Sequence, residues 1–577
     1  MGGRNMRSSK EESTVRTTRS ALLIFLPTHF FALSLFGFAA AADKPNIIIF
    51  LADDLGYADI GVNGCKDIPT PNIDSIANSG VRFTDGYATH PVCSPSRAAL
   101  MSGMYQHRFG FEHNSGPERF ADPEFGLPRE IPTLAEKLKT AGYATGMIGK
   151  WHIGFKEGLR PHERGFDYHF GFLGGARSYL PGKSDNDPIV RNGEPVQTSK
   201  YLTDEFADEA VGFLDRSKGK PFLLYFAFNA VHAPMDASPY SDRFVNLSGK
   251  RKTFAGMLTG LDLAVGRVMA KVRQMNQEEN TLVMCYSDNG GPTQQTTSRN
   301  DPLRGFKAQM FEGGIRVPFV MQWKGKIPAG QTYREPVMGF DCHATALAAA
   351  GLLGAERSKP PGDAGFLEAE RRKPPGEASA TTPEESRTTA TDSSRKPLDG
   401  VDLIPFVTGE SKGPPHESLF WRAGANHAVR MGDWKLTHIP QQGGTMLFNL
   451  RDDIGEQNNL AASQPDKLRE LQAAFGEWEK GTQRAKWVRQ DQRSASEGGE
   501  TNTPANPNAP RRRQNGTRME ETLKAADSNG DGKLSREEYP QPRIFDAVDK
   551  DKDGFATPEE VRAYFQNRAG GRDPKDR

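Results

Sequence analysis

At 577 residues the chain is too long for one ordinary domain and implies two or three. Its 74 basic and 73 acidic side chains leave a net charge of +1, which removes the electrostatic reason to expect a nucleic-acid partner. The cysteines, at positions 65, 93, 285 and 342, are too few for an exported chain held together by bridges. A disulfide between any two of Cys65, Cys285 and Cys342 stays open, with packed thiols as the simpler reading.

In chain order, scattered Arg and Lys over 4–19 precede an apolar run, Ala21–Ala42, that ends in four alanines. This reads as a secretory signal peptide over 1–42, with a mature start near Asp43 and no stable membrane insertion after cleavage. The alternative is an uncleaved anchor, since the run is long enough to span. Either way the rest of the chain is expected outside the cytoplasm, whether periplasmic, extracellular or on the cell surface.

Short apolar runs at Asn46–Ala52, Tyr143–Ile148, Phe222–Phe228, Thr281–Tyr286 and Arg316–Trp323 read as buried parallel strands. Helical patterns separate them, at Thr133–Ala141 and at Thr253–Val272, where Phe254, Leu258, Leu261, Val265, Val268 and Val272 recur at helical spacing. The alternation predicts an α/β fold, a mostly parallel sheet covered by helices on both faces, over 43–354. Residues 355–397 carry few apolar positions and a near-repeat around Lys359-Pro360-Pro361-Gly362 and Lys373-Pro374-Pro375-Gly376, and read as a disordered insertion. Structure resumes at Leu398–Val407. Strand-like pieces at Leu419–Trp421, His427–Met431, Trp434–His438 and Met446–Leu450, with a helix over Pro465–Trp478, predict a small antiparallel subdomain over 398–482. A polar linker over 483–518, a compact acidic module over 519–566 and a disordered tail over 567–577 complete the chain.

Chemistry-bearing residues follow the predicted strands within a few positions: Asp53 and Asp54, Lys150 and His152, His232, and Asp288 with Asn289. In such sheets ligands collect at the carboxyl ends of the strands. Each cluster alone is as well explained by a turn, a solvated lysine or a core histidine; their recurrence at strand ends favours a site. Asp53, Asp54, Asp288 and Asn289 form an all-oxygen set suited to a hard divalent cation, calcium better than magnesium. Cys93 precedes a helix over Pro95–Met101, where free N–H groups favour anions and an unmodified thiolate would itself be a plausible nucleophile. His90, His107, His113 and Arg177 lie in loops beside these motifs and stay unassigned.

Taken in order, Ala52-Asp53-Asp54-Leu55-Gly56, Cys93-Ser94-Pro95-Ser96-Arg97, Gly149-Lys150-Trp151-His152-Ile153-Gly154, His232-Ala233-Pro234, Ser287-Asp288-Asn289-Gly290, Lys307 and Glu312-Gly313-Gly314-Ile315-Arg316 resemble a formylglycine-dependent sulfatase. That is a type I, arylsulfatase A/B-like member of the alkaline phosphatase superfamily. The similarity runs from about Lys44 to Trp478 and includes the closing segment from Phe448 to Leu460. It implies an alkaline phosphatase-like fold and sulfuric ester hydrolysis on a sulfated carbohydrate. It also implies that Cys93 becomes formylglycine through a separate maturation enzyme, and that calcium is bound by Asp53, Asp54, Asp288, Asn289 and the modified position 93. One hydroxyl of the hydrated aldehyde attacks sulfur and displaces the alcohol; the second then loses its proton and expels sulfate. By the same resemblance Arg97 and Lys150 hold the diol, and His152 is the base for its second hydroxyl. His232 and Lys307 grip the sulfate, one of them protonating the leaving alcohol.

The acidic module contains two twelve-residue patterns of the EF-hand type, which bind calcium through positions 1, 3, 5, 7 and 12 with glycine at 6. The first uses Asp527, Asn529, Asp531, the carbonyl of Lys533, and Glu538; the second uses Asp549, Asp551, Asp553, the carbonyl of Phe555, and Glu560. The two hands are expected to pair, with Leu534, Ile544, Phe545, Val548 and Phe555 as a small core, in a structural or docking role. Two other functions compete with the sulfatase reading: a phosphoester or phosphonate hydrolase of the same superfamily, and a non-catalytic, calcium-stabilised glycan-binding protein.

Overall fold

The computed structural model describes residues 44–116, 122, 124–183, 187–353, 398–487, 527, 531–536, 538–539, 545–561 and 563–564. The expected signal segment 1–42, the insertion 355–397, most of the linker 483–518, Asn529, Ile544 and the tail 567–577 lie outside them. The chain divides into two compact units, Met1–Val488 and Arg489–Arg577.

The first unit is built on a ten-stranded sheet. Its strands include β1 (Asn46–Ala52), β2 (Val81–Phe83), β4 (Ala144–Lys150), β5 (Tyr168–Phe172), β6 (Val190–Arg191) and β7 (Glu194–Pro195). The others are β8 (Phe222–Ala227), β9 (Thr281–Ser287), β10 (Phe319–Gln322) and β11 (Gln331–Tyr333); β3 (Gly86–Tyr87) pairs separately with β12 (Val337–Met338). Strand order is β11-β2-β10-β9-β1-β8-β4-β5-β6-β7. The centre, β9-β1-β8-β4-β5, is parallel throughout.

Burial on both faces explains the unbroken apolar runs of these strands. On β1, Ile47, Ile49 and Leu51 face one core, and Ile48, Phe50 and Ala52 face the other. Helices α1 (Pro71–Asn78), α4 (Leu202–Arg216) and α5 (Gly249–Gln274) cover the second face; α2 (Cys93–Ser102), α3 (Leu134–Thr140) and the helix Asp341–Ala349 cover the first. Thr133 caps α3 by accepting from the Glu136 N–H, while the Glu136 carboxylate accepts from the Thr133 N–H.

One strand runs against expectation. The segment expected as a parallel strand over Arg316–Trp323 is β10, antiparallel to both β9 and β2. A parallel return needs a crossover along the length of the sheet. The connection from Ser287 to Phe319 carries only four-residue helices, Thr293–Thr296 and Glu312–Ile315, so the chain turns back from the end at which it left. Strand β5 and helix α4 were not anticipated from the sequence, although Leu202, Phe206, Phe213 and Leu214 of α4 are buried on one stripe. All four cysteines are free, and Cys285 lies in the core as expected.

The C-terminal part of this unit is a four-stranded antiparallel sheet, β13 (Ser418–Ala423), β14 (Asn426–Met431), β15 (Trp434–Ile439) and β16 (Gly444–Asn449). The helix Pro465–Lys480 packs Leu471 and Phe475 on Val429, Leu436 and Leu447. The opposite face packs Leu419, Trp421 and Phe448 against Tyr87, Tyr105 and Phe340, and Trp421 Nε1 donates to the Ala88 carbonyl at 2.8 Å. Beneath it lies a buried charge network. Lys435, on β15, sits 2.8 Å from Glu312 and 2.9 Å from Glu456; Arg316 contacts Glu312 and Asp85, and Arg430 contacts Asp85 at 2.6 Å.

In the second unit β17 (Leu534–Ser535) and β18 (Phe555–Ala556) form an antiparallel pair that joins the two loops. Leu534, Phe545 and Val548 are buried there as expected, together with Tyr539, Ala556 and Val561. Phe555 is not: it is 36% exposed, because alternation along a two-residue strand turns Ala556 inward instead.

Lys435 is wholly buried between two carboxylates, so Lys435→Met should cost about 3–5 kcal/mol by leaving Glu312 and Glu456 face to face. Urea denaturation measures this, and a wild-type midpoint would refute it.

Candidate active site

The site lies at the carboxyl ends of the parallel strands. Asp53 and Asp54 leave β1, Lys150 ends β4 with His152 two residues on, His232 follows β8, and Asp288 and Asn289 leave β9. Lys307 comes from the β9–β10 connection, and Cys93 is the first residue of α2. Gly149 permits the approach of β4. Its φ is +105°, and a Cβ there would stand 1.9 Å from the Ala227 carbonyl oxygen.

Six charged side chains meet in this space. Lys150 Nζ lies 2.7 Å from Asp53 Oδ2, and Lys307 Nζ lies 2.6 Å from Asp54 Oδ1. Arg97 donates through Nε and NH2 to Asp288 Oδ2 at 2.9 and 2.7 Å, and reaches Asp53 Oδ1 at 3.7 Å. The Cys93 thiol stands 3.5 Å from Asp53 Oδ1 and 3.4 Å from Lys307 Nζ. Asp53, Asp54, Arg97, Lys150 and Asp288 are wholly buried; Lys307 and His232 keep 15% and 17% of their side chains exposed and so mark the side open to solvent.

The electrostatics follow from this crowding. Burial alone would raise the Asp53 carboxyl, but Lys150, His232, Arg97 and Lys307 outweigh it and hold it well below the carboxylate range. Burial works against the Lys307 charge, yet Asp54 beside it raises its pKa above the usual lysine value. Burial, aided by Lys150 and Arg97, pushes His152 well below 6.5, so its ring is neutral. His152 Nε2 faces the Ser115 carbonyl at 3.1 Å and therefore carries the proton; Nδ1 is buried without a partner and keeps its lone pair.

The helix N-terminus alone would make an unmodified thiolate plausible at position 93, but burial works against it. Burial pushes the Cys93 thiol up to about 12, beyond what Lys150 and Lys307 offset. The unmodified side chain is a neutral thiol at physiological pH.

Of the expected metal ligands, Asp53, Asp54 and Cys93 present atoms within 4.8 Å of one another, joined by His232. Asp288 is not in that group; its Oδ2 accepts from Arg97, and its Oδ1 accepts from Asp54 N at 3.3 Å. Asn289 Nδ2 donates to Asp54 Oδ1 at 2.7 Å, leaving Asn289 Oδ1 and Asp54 Oδ2 as buried oxygens without a hydrogen-bond partner. Orphaned acceptor oxygens beside two carboxylates fit a hard divalent cation. Asn114 and Ser115, which lie in no motif, hold the α2 N-terminus through Asn114 Oδ1 and Ser115 Oγ on Ser94. His90 and His107, in loops beside the motifs, are wholly buried. His113 and Arg177 are half-buried.

In the second unit Asp549, Asp551 and Asp553 gather their carboxylates within 4.8 Å. Glu560 accepts from the Thr557 and Lys550 N–H groups, and Asp549 from that of Gly554. In the first loop Asp527 accepts from Gly532 N at 2.8 Å, Asp531 accepts from Lys533 N, and Glu538 accepts from Ser535.

A parallel α/β sheet whose strand ends bring paired carboxylates, three cations and a cysteine together defines a hydrolase of anionic esters. The sulfatase profile matches residues 45–352, and an EF hand profile matches 519–539 and 543–565. The chain is 27% identical to the uncharacterized sulfatase YdeN of Escherichia coli (strain K12), over 75% of this chain and 85% of that one. It is 30% identical to N-acetylgalactosamine-6-sulfatase of Canis lupus familiaris, over 69% and 72%. It also superposes on the crystal structure of Ps i-CgsB in complex with k-i-k-neocarrahexaose, with TM-score 0.68 and 33% identity over 78% and 96% of the two chains. The chain belongs to the sulfatase family. It is an enzyme that hydrolyses sulfate esters, and it carries EF-hand sequence at its C-terminal end.

Burial, aided for His90 by its neighbour His107, pushes both rings down to about 3. The unfolded chain, with histidine near 6.5, binds more protons between those values, so stability present above about pH 6.5 is lost as pH falls toward about 3. Urea midpoints should therefore drop between about pH 7.5 and about pH 5, and drop less in His90→Gln. Equal drops in the two proteins would refute neutral burial of His90.

Proposed function

We propose that this chain is an exported sulfuric ester hydrolase that releases inorganic sulfate from sulfated carbohydrate, with Cys93 matured to formylglycine and calcium bound beside it. The observation that carries this reading is the position of Cys93, within 3.5 Å of both Asp53 and Lys307 and at the start of α2. The names of the similar proteins, one an N-acetylgalactosamine-6-sulfatase and one crystallised with a neocarrahexaose, support a carbohydrate substrate.

A neutral buried thiol is a poor nucleophile, which gives maturation by a formylglycine-generating enzyme a physical purpose. The hydrated aldehyde supplies two hydroxyls, one to attack sulfur and one to drive sulfate out. Asp53, Asp54, Asn289 and residue 93 would hold the calcium, with Asp288 contributing where Arg97 leaves Oδ1 free of its grip. When bound, the ion would supply positive charge to the site as a Lewis acid. Without it the three carboxylates, Asp53, Asp54 and Asp288, balance Arg97, Lys150 and Lys307; a divalent ion leaves a net +2 to receive a monoanionic ester.

The remaining roles belong to side chains already in place. Arg97 and Lys150 fix the carboxylates and the oxygens at position 93. His152 Nδ1 has the free lone pair to accept a proton from the second hydroxyl. His232 and Lys307, the two partly exposed members, meet the substrate, and one of them protonates the departing alcohol.

Export is inferred from the 1–42 segment alone, and the start of the mature chain from its natural host tests it. The Cys93 peptide from that host should be lighter than the thiol form by about 18 Da. Cys93→Ala should abolish turnover with an unchanged thermal midpoint, and His152→Ala should lower kcat by about 10²–10⁴-fold. Wild-type turnover by Cys93→Ala would overturn the mechanism, and faster cleavage of an aryl phosphate than of an aryl sulfate would move the chain to phosphoester chemistry.

A further inference from the structure

Beside the edge strands of the main sheet lies a cavity of about 170 Å3, lined by Arg160, His162, His169 and Asp187 with Leu173, Pro188, Val190 and Pro195 as a larger apolar wall. A single water needs only about 15 Å3. His169 is wholly buried, and neither of its ring nitrogens has a hydrogen-bond partner; His162 Nδ1 is also buried and unpartnered. Buried polar atoms of this kind are costly unless a ligand or water completes them.

The backbone around the cavity is built to hold it. Asn192 Oδ1 accepts from His169 N at 2.7 Å, and Asn192 N donates to the His169 carbonyl at 2.9 Å. Asn192 and Gly193 take positive φ, 51° and 95°, to turn the β6–β7 hairpin, which brings Gly193 against the His162 ring. Asp187 Oδ2 is oriented by accepting from Gly174 N at 3.0 Å.

The chemistry of the lining selects among ligands. Among the described residues, the groups close enough to hold a metal lie elsewhere. An anion would meet Arg160 but also Asp187, and burial keeps His169 neutral by pushing it down to about 3. What remains is the neutral His169 ring, with one donor and one acceptor nitrogen, and the unpartnered His162 Nδ1, against Leu173, Pro188, Val190 and Pro195. That set matches a hydroxyl-bearing ring with apolar C–H faces. The cavity also adjoins the catalytic centre. Leu173 O accepts from His152 N at 3.0 Å, and a Cβ on Gly175 would stand 2.6 Å from the His152 ring.

We propose that this cavity is a subsite for an uncharged sugar unit of the carbohydrate whose sulfate ester is cleaved near His152. The inference rests on the carbohydrate reading above. It makes the segment Leu173–Gly175 a partition between a sugar-holding cavity and the reacting centre.

The test uses the full matured chain with 15N-labelled histidine. Titration with N-acetylgalactosamine or galactose should shift the His162 and His169 ring resonances saturably, and sodium sulfate should not shift them. His162→Ala, at the half-buried rim, should raise KM for a sulfated polysaccharide about three- to tenfold, the loss of one or two hydrogen bonds. Its kcat and its turnover of p-nitrophenyl sulfate should stay unchanged, and His169→Gln, which keeps a donor and an acceptor, should fall between the two. No ring response to either sugar, a response to sulfate alone, or an unchanged KM in His162→Ala would overturn the subsite. Wild-type turnover of p-nitrophenyl sulfate with none of any sulfated polysaccharide would instead overturn the carbohydrate reading, while the sugar titration would still decide the cavity.

Discussion

The structure depends on keeping a dense set of charges out of water without leaving any of them alone. Asp53, Asp54, Asp288, Arg97 and Lys150 are wholly buried, and Lys307 nearly so. An isolated ion in that position would be neutralised or would unfold the site. Each is tolerated because its partner arrives from a different strand end: Lys150 from β4 meets Asp53 from β1, and Arg97 from α2 meets Asp288 after β9. The sheet and its helices are thus fixed by the pairing requirement at their carboxyl edge as well as by the cores on their faces.

The same solution recurs further along. Lys435 lies between Glu312 and Glu456, and Arg316 and Arg430 share Asp85. Glu312 and Arg316 belong to the segment that follows Lys307, so the antiparallel sheet reaches, through one buried lysine, the loop that delivers a catalytic-site cation.

Much of this was legible in the chain. Strands β1, β8 and β9 are buried on both faces and read as uninterrupted apolar runs, and α5 shows its buried stripe at helical spacing. The residues following those strands were recognisable because local strand-to-turn patterns encode where a strand ends. What was not legible depends on non-local facts. The direction of β10 is set by where the long connection from Ser287 to Phe319 returns. The hold of Arg97 on Asp288, and the high pKa of the Cys93 thiol, arise from burial that no local pattern reports. A helix terminus makes a thiolate at position 93 plausible; desolvation, which raises the thiol, is the larger effect. His90 and His107 looked like loop residues because their burial comes from packing between distant segments.

The junction between the two sheets has a further consequence. Within the first unit, residues 44–353 and 398–487 are knit together by Trp421 on Ala88, by the paired His416 and Asp341, and by the lysine beneath β15. Peptide continuity between those two stretches contributes little to what holds the pieces in place. A chain severed there, or two fragments produced separately, should reassemble into one active particle that migrates as two bands on a denaturing gel.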